Sequence, residues 1–414
     1  MKKETVKKII LITSRFPYLG GEQFLETEVE YYSQHKEVSF TILPILKGTQ
    51  KREISSSIKV EDIFLNKNWS RAKIFYFIST LFSKHLYREF FLYNMFNLKK
   101  LKILLYSLIL HQFYMKKLEV FLENSKNLED TIFYTYWNNE ATYALQSLKE
   151  KYGYKIVTRI HRGDIYEEES TFNYLPLKKQ FTHNIDKIYT ITQSANSYLV
   201  ERYGFKKESI ELSRLGVKDL GINSLPSAPN ELHLVSCSFL SEIKRVDKII
   251  EALALLSIEK PQLNIKWSHI GDGHLYEKLL TLANKKLAER KNIRFSFLGN
   301  LKNREVYAFY KQNRVDIFIN VSESEGVPVS IMEAMSCHIP VIAPDVGGVS
   351  DMVIEGHNGR LLSEACLVLE ITKSLADVEF FKKKSIRENA YKIYLEKYSA
   401  SSNYTDFIGS LTEV

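Results

Sequence analysis

The chain has 414 residues, 45% of them apolar and 26% charged, which excludes a disordered or fibrous protein and is too long for one ordinary hydrophobic core. The net charge is +8, and the three cysteines, Cys237, Cys337 and Cys366, lack paired spacing, which excludes a disulfide framework and a cysteine zinc site and fits a reducing cytoplasm. Two domains of roughly 200 residues each are expected.

The N-terminal stretch MKKETVKKIILITSRFP places lysines before an apolar run. That run, IILIT, is shorter than the roughly 7–15 residues of a signal-peptide core. It predicts a buried first strand over Lys8–Thr13, followed by a turn in FPYLGGEQ and an amphipathic helix in which Leu25, Val29 and Tyr32 recur at helical spacing. Strand, Gly-Gly turn and helix form the opening unit of a doubly wound α/β domain. Further strands are predicted at EVSFTILPIL, DTIFYTYW, KIVTRI and KIYTIT.

Between Lys67 and Lys117 lie ten basic residues (Lys67, Arg71, Lys73, Lys84, Arg88, Lys99, Lys100, Lys102, Lys116, Lys117) and one acid, Glu89. The whole positive excess of the chain therefore falls in this window, among Trp69, Phe75, Phe77, Phe82, Tyr87, Phe90, Phe91, Tyr93 and Phe96. Lysines alternating with rings at helical spacing suit interfacial helices on an anionic membrane, and they equally suit core-facing helices with a solvated basic side. Nucleic acid is not expected, because no groove-reading or base-stacking module is present. The longest charge-free apolar stretch, ILLYSLILHQFYM from Ile103, falls short of the roughly 20 residues of a membrane span.

Around LGVKDLGINSLPSAPNELH the periodicity lapses into a Pro-, Ser-, Gly- and Asn-rich linker, placed at 217–232. It separates an N-terminal domain, 1–216, with a helical insertion at about 67–128, from a C-terminal domain, 233–390. In the latter, LHLVSCSFL, NIKWSHIG, NIRFSFLG, VDIFINVS and IPVIAP alternate with helical segments, so a parallel sheet is expected. Two doubly wound domains would present a ligand cleft at their strand C-termini.

In SESEGVPVSIMEAM, residues 322–335, Glu325 and Glu333 are separated by seven residues that include Gly326 and Pro328. Glu325 falls in the loop after a buried strand, and Glu333 about one turn inside the next helix. The amides from Gly326 through Val327 to Val329, around Pro328, would open that helix as an anion site. Two carboxylates beside such a site suit a ligand with phosphate and vicinal hydroxyls, a nucleotide sugar among them. For either glutamate alone, stabilisation of the helix dipole explains the charge as well.

These residues resemble the retaining glycosyltransferases of the GT-B fold, the large group 1 or family 4 set, whose C-terminal domain carries Glu, seven residues, Glu in this context. The resemblance runs through FLGNLKNREVYAFYKQNRVDIFINVSESEGVPVSIMEAMSCHIPVIAPDVGGVSDMVIEGHNGRLL and includes IKRVDKIIEAL, IHRGDIYEE and FPYLGGEQFLE. It implies two Rossmann-like domains facing a cleft, with the last segment, 391–414, returning as a helix to the N-terminal domain. By resemblance, Glu325 contacts the donor sugar, Glu333 the ribose, and Lys244 the leaving diphosphate. Gly20 and Gly21 let the backbone approach the donor, and His161 hydrogen-bonds the transferring sugar, although a satisfied core histidine is the alternative for His161.

Phe239 stands where the family usually has arginine, five residues before Lys244. Either Arg245 supplies the second positive charge or phosphate neutralisation is weaker here. No two aspartates lie two positions apart, so the Asp-x-Asp metal motif of the other major glycosyltransferase fold is absent, and metal-independent transfer without a cofactor is expected. The resemblance implies retention by front-face attack, the leaving phosphate helping to take the acceptor proton.

The expected partners are a UDP- or GDP-linked sugar and a glycan or lipid-linked oligosaccharide acceptor of a bacterial surface polysaccharide, such as capsule or lipopolysaccharide. The expected place is the cytoplasmic face of the plasma membrane. A glycosyltransferase-like binding subunit without turnover is the alternative, favoured by Phe239. An epimerase on the same fold is a third, disfavoured because the sequence offers no obvious acid and base pair.

Overall fold

The computed structural model describes residues 7–35, 37–64, 69–93 and 97–414. Lys67 and Phe96 of the basic aromatic window lie outside the described residues, as do the side chains of Trp69 and Arg71. Two compact units emerge, one of residues 1–214 with 404–414 and one of residues 215–403.

The first unit is built on a seven-stranded sheet, β1 (Lys7–Thr13), β2 (Val38–Pro44), β3 (Lys59–Val60), β4 (Thr131–Thr135), β5 (Lys155–Ile160), β6 (Lys187–Thr190) and β7 (Ile210–Leu212). All pairings are parallel and the order is β3-β2-β1-β4-β5-β6-β7. Helices cover both faces, which is why β1 and β4 read as near-continuous apolar runs. Alternate residues of β1 face opposite layers, as the two-residue period of a strand requires. Ile9 and Leu11 pack on α1 (Leu25–Tyr32), while Ile10 and Ile12 join the cluster that holds Phe113, Leu118, Ala144 and Leu145.

The segment between β3 and β4 folds as α2 (Trp69–Leu81), α3 (Lys84–Tyr93) and α4 (Leu98–Glu123). Its helices differ in kind: α4 buries Leu104, Leu108, Phe113 and Leu118 and forms a core layer beside α5 (Glu140–Tyr152), whereas α2 and α3 keep most of their apolar residues exposed. After β6 come α6 (Gln193–Tyr198) and a short π-helical extension over Leu199–Tyr203.

The second unit carries a six-stranded parallel sheet ordered β10-β9-β8-β11-β12-β13. Its strands are β8 (Glu231–Cys237), β9 (Asn264–Ile270), β10 (Ile293–Phe297), β11 (Ile317–Ile319), β12 (Val341–Pro344) and β13 (Gly359–Leu362). The helices are α7 (Val246–Glu259), α8 (Tyr276–Leu287), α9 (Asn303–Gln312), α10 (Val329–Ser336), α11 (Val368–Ala376), α12 (Val378–Lys382) and α13 (Lys384–Lys397), before α14 (Ala400–Thr412) closes the chain.

The stretch expected as an interdomain linker, 217–232, is held by hydrogen bonds to the second unit. Ser227 Nα and Oγ donate to Asp316 at 2.8 and 2.5 Å, Ser224 Nα to the Cys337 carbonyl at 3.1 Å, and Val217 Nα to the Tyr398 carbonyl at 2.9 Å. The final segment divides: α13 remains with the second unit, and from Tyr404 onward α14 belongs to the first, where Phe407, Ile408 and Leu411 enter the core with β1 and β4.

Beneath α14 lies a buried ion pair. Arg159 of β5, fully buried, donates through Nη1 to Glu28 Oε2 of α1 at 2.6 Å and through Nη2 to Ser213 Oγ at 3.1 Å, with the Phe407 ring 4.2 Å from the guanidinium. Tyr32 and Tyr134 donate to the other Glu28 oxygen at 2.5 and 3.2 Å. Removing one partner strands a charge in the core, so Glu28→Ala is expected to lower the unfolding free energy of the first unit by about 3–5 kcal/mol. Urea denaturation followed by near-ultraviolet circular dichroism measures it.

Candidate functional site

In the second sheet the chain runs outward from β8 to β9 and β10, then returns to the other side of β8 as β11. The connections that leave β8 and β11 therefore diverge, and the crevice between their carboxyl ends is the switch point at which open α/β sheets bind ligands.

Lys244 and Glu325 meet there. Lys244 ends a short 3₁₀ turn, Glu242–Lys244, after β8, and Glu325 lies in the loop after β11. The Glu323 amide donates to the Ile243 carbonyl at 2.9 Å and ties the two loops together. Lys244 Nζ then donates to Glu325 Oε1 at 2.7 Å. Asn320, the residue after β11, accepts from the Ser322 amide at 2.8 Å and donates through Nδ2 to the same Glu325 oxygen at 2.9 Å. One carboxylate oxygen thus takes both the lysine and the Asn320 amide, and the second has no partner among the described residues.

The loop continues through Gly326, whose carbonyl accepts from the Gly348 amide at 2.8 Å, and buried Val327 to Pro328, directly before α10. The Val329 and Ser330 amides open α10 at the positive end of its dipole, while the Ile331 amide donates to the Pro328 carbonyl at 3.1 Å. Glu333 sits one turn further in, buried, and accepts from Asn303 Nδ2 at the start of α9. Burial pushes its carboxyl up to about 7, and the Asn303 hydrogen bond opposes that shift.

Arg245 does not join this group. Its backbone is left-handed, with φ of 47°, and its guanidinium is engaged with Asp247, at 3.0–3.2 Å, and with Glu323. It therefore adds little net positive charge at the lysine. Phe239 is 60% exposed, its ring 6.2 Å from that of His274, so the chain puts an apolar surface where a second cation was sought.

The first sheet repeats the arrangement at β1 and β4. The Gly20–Gly21 loop follows β1, and Gly20 adopts φ of 97°, a conformation that favours glycine. Glu22, buried and itself at φ of 54°, accepts from the amides of Ser14, Arg15 and Phe16 at 2.7–2.9 Å and from Trp137 Nε1 at 2.6 Å. Those amides are consequently occupied, and the loop is fixed to the end of β4.

His161, at the end of β5, packs 4.6 Å from the Trp137 ring and 4.7 Å from the Tyr136 ring. Its amide and that of Asn138 each donate to Asp164 at 2.6 Å, and buried Lys178 caps Asn138 O and Oδ1 at 2.7 and 2.6 Å. Burial, with the Arg159 charge second, holds the imidazole down at about 3, so it is neutral. Its Nε2 has no partner among the described residues, and the ring lies tilted against those of Trp137 and Tyr136. Burial likewise raises Asp164 to about 6 against the Lys178 charge.

Residues 219–393 match the family model described as glycosyl transferases group 1. The second unit belongs to that family. The chain is 30% identical over 219 residues to the O-antigen biosynthesis glycosyltransferase WbnH of Escherichia coli, covering 52% of this chain and 58% of that one. It is 28% identical over 216 residues to the putative colanic acid biosynthesis glycosyltransferase WcaL of Escherichia coli K12, 51% of this chain and 52% of that one. The chain therefore spans little more than half the length of these relatives.

Among solved structures, Anabaena HepE in complex with UDP and glucose superposes with a TM-score of 0.65 at 15% identity over 99% of this chain and 100% of that one. The apo lipopolysaccharide outer core galactosyltransferase WaaB gives 0.68 at 18% identity, over 97% and 99%. At those identities the likeness establishes the fold: two Rossmann-like units of the GT-B type.

In the group 1 unit, the structure brings Lys244, Glu325 and the start of α10 together and turns Arg245 away. In the first unit it joins the Gly20–Gly21 loop to His161 through Trp137. Asn320, Asn303 and Glu22 were missed from sequence. Asn320 had a signal, a lone amide closing the apolar strand VDIFINVS, whereas Glu22 and Asn303 gain their partners only through folding.

An added Cβ at Gly21 meets nothing within 4 Å. Gly21→Ala is accordingly expected to change the unfolding free energy by less than about 0.5 kcal/mol, while Gly20→Ala, at its positive φ, should cost about 1 kcal/mol or more. Paired thermal melts distinguish the two positions.

Proposed function

We propose that this protein is a retaining glycosyltransferase that moves a hexose or N-acetylhexosamine from a UDP- or GDP-linked sugar to a bacterial surface glycan of the O-antigen or colanic acid kind. The acceptor is lipid-linked and met at the cytoplasmic membrane face. The observation that carries this reading is the Lys244–Glu325 pair beside the N-terminus of α10, with buried Glu333 one turn further along. The family match of the group 1 unit and the names of its relatives support the reaction class.

In this reading the diphosphate takes the amides at the start of α10 and draws Lys244 from its carboxylate partner. Glu325, relieved of the lysine, accepts from the sugar hydroxyls, and Glu333 accepts from the ribose diol. The bond between the anomeric carbon and the β-phosphate oxygen breaks, and the acceptor oxygen bonds to the same face. Its proton passes to the leaving phosphate, so no resident base or metal is required. Lys244 and the helix dipole stabilise the charge that develops on that phosphate. In the first unit, Nε2 of neutral His161 hydrogen-bonds the transferring sugar, and open Gly21 allows close approach.

A second reading, a binding subunit without turnover, draws on exposed Phe239 in place of the family arginine. A thermal-shift and hydrolysis screen against UDP- and GDP-sugars, with membrane extract supplying acceptor, separates them. A donor that stabilises the protein and is hydrolysed slowly supports the transferase, whereas binding without turnover in either assay selects the subunit. Lys244→Ala is expected to weaken nucleoside diphosphate binding about 10- to 100-fold, by removing a charge-assisted contact.

The proposed ribose contact has a pH signature. An ionised carboxylate accepts from both ribose hydroxyls, whereas its protonated form must use one oxygen as a donor. With the Glu333 carboxyl raised to about 7, affinity for UDP or GDP is full above that pH and falls below it. Calorimetry should show binding tightening about tenfold from pH 6 to pH 8, the rise in the ionised fraction. Glu333→Gln should flatten the profile.

A further inference from the structure

We propose that α2 and α3 form a wedge by which this protein docks on an anionic lipid bilayer. The inference rests on the geometry of these two helices and would stand whatever reaction the group 1 unit performs.

The packing of α2 is inverted relative to an ordinary surface helix. Tyr76 and Thr80, one turn apart, make its inward stripe: the Tyr76 ring lies 6.2 Å from that of Phe113, and Thr80 Oγ1 accepts from Gln112 Nε2 at 3.2 Å, both partners on α4. At about 100° per residue, Ile74, Phe75, Phe77, Ile78 and Leu81 project from the opposite arc. All five are exposed, Phe75 to 70%, and Phe82 just beyond the helix reaches 81%. A globular protein normally turns such an arc toward its core, and a contiguous outward apolar face marks an interaction surface.

The charges around that face have one sign. Lys73, Lys84, Arg88, Lys99 and Lys102 are exposed. The single acid of the window, Glu89, is fully buried, accepting from Tyr174 Oη at 2.8 Å, from the Leu177 amide at 3.0 Å and from Gln180 Nε2. By pinning α3 to the 174–180 loop, Glu89 takes the sole compensating charge out of solvent and leaves Phe91 outward, 86% exposed beside Arg88. Rings and aliphatic side chains ringed by lysine and arginine suit the headgroup layer of an acidic membrane, the apolar groups entering it and the cations meeting lipid phosphates. No helix of the described residues is long and apolar enough to cross a membrane, so the contact is peripheral. A protein partner would need a surface both apolar and strongly acidic, whereas the bilayer supplies both in one layer.

The test is co-sedimentation of the full chain with vesicles of phosphatidylglycerol and phosphatidylethanolamine, against vesicles of phosphatidylcholine alone. The protein should partition onto the anionic vesicles at least about tenfold more strongly, and 0.5 M salt should weaken the binding without abolishing it. The charge variant Lys73→Glu/Lys84→Glu/Arg88→Glu should lose about 100-fold. The apolar variant Phe75→Ser/Phe82→Ser/Phe91→Ser should lose at least about tenfold. Lys278→Glu/Lys285→Glu/Lys286→Glu on α8 changes the net charge equally and should bind like wild type. Equal binding by all three variants, or no preference for anionic vesicles, overturns the proposal. So does a dimer in sedimentation velocity that the phenylalanine variant dissociates, which would make the face a contact between copies.

Discussion

The order of strands imposes the constraint on which the rest depends. A parallel strand covered on both faces holds a polar side chain only where the core pairs it, as it pairs Arg159 with Glu28, and in each sheet the chain reverses direction beside a central strand, β1 in one and β8 in the other. The loops leaving the two sides of that point diverge and cannot cover it. Every candidate functional group in the group 1 unit sits on such a loop or on the helix it opens: Lys244 after β8, Glu325 after β11, Glu333 on α10. The pair at 2.7 Å across the crevice is close to neutral as it stands. In the proposed reading, an anion and a diol would separate it into a polar site of two signs.

The first unit uses its charges differently. Glu28 and Arg159 neutralise each other in the core, and the carboxylate of Glu22 is consumed by three backbone amides and an indole. These groups fix shape rather than offer reactivity. Arg159 lies two residues before His161 and contributes, after burial, to keeping that imidazole neutral. A neutral ring packed beside Trp137 and Tyr136 offers a hydrogen-bonding nitrogen without a charge.

Much of this was legible in the sequence because it is local. The first strand, expected over Lys8–Thr13, spans Lys7–Thr13, and the run VDIFINVS followed by Gly326, Pro328 and Glu333 dictates a buried strand, a loop and a helix start in that order. What sequence did not show depends on direction. The reach of Arg245 toward Asp247 and Glu323 follows from a left-handed backbone at that one residue, and no spacing rule announces it. Likewise, α2 and α4 share a composition of rings, aliphatics and lysines. Which of them forms the core layer is settled by which abuts α5, so the core-facing alternative describes α4 and not the exposed α2.

The distribution of charge separates two tasks that one basic patch could not perform together. The whole excess positive charge lies between Lys67 and Lys117, so the rest of the chain is close to neutral. A strongly cationic crevice would bind polyanions and acidic lipid as readily as a nucleotide, and would release a diphosphate slowly. Here the crevice offers one lysine, itself paired, and a helix start whose influence fades within a turn. In the proposed docking, long-range attraction would belong instead to the helices that carry the exposed rings and cations. Selection of a small anion by short-range donors and attraction to an extended anionic surface by net charge can thus be tuned independently within the same chain.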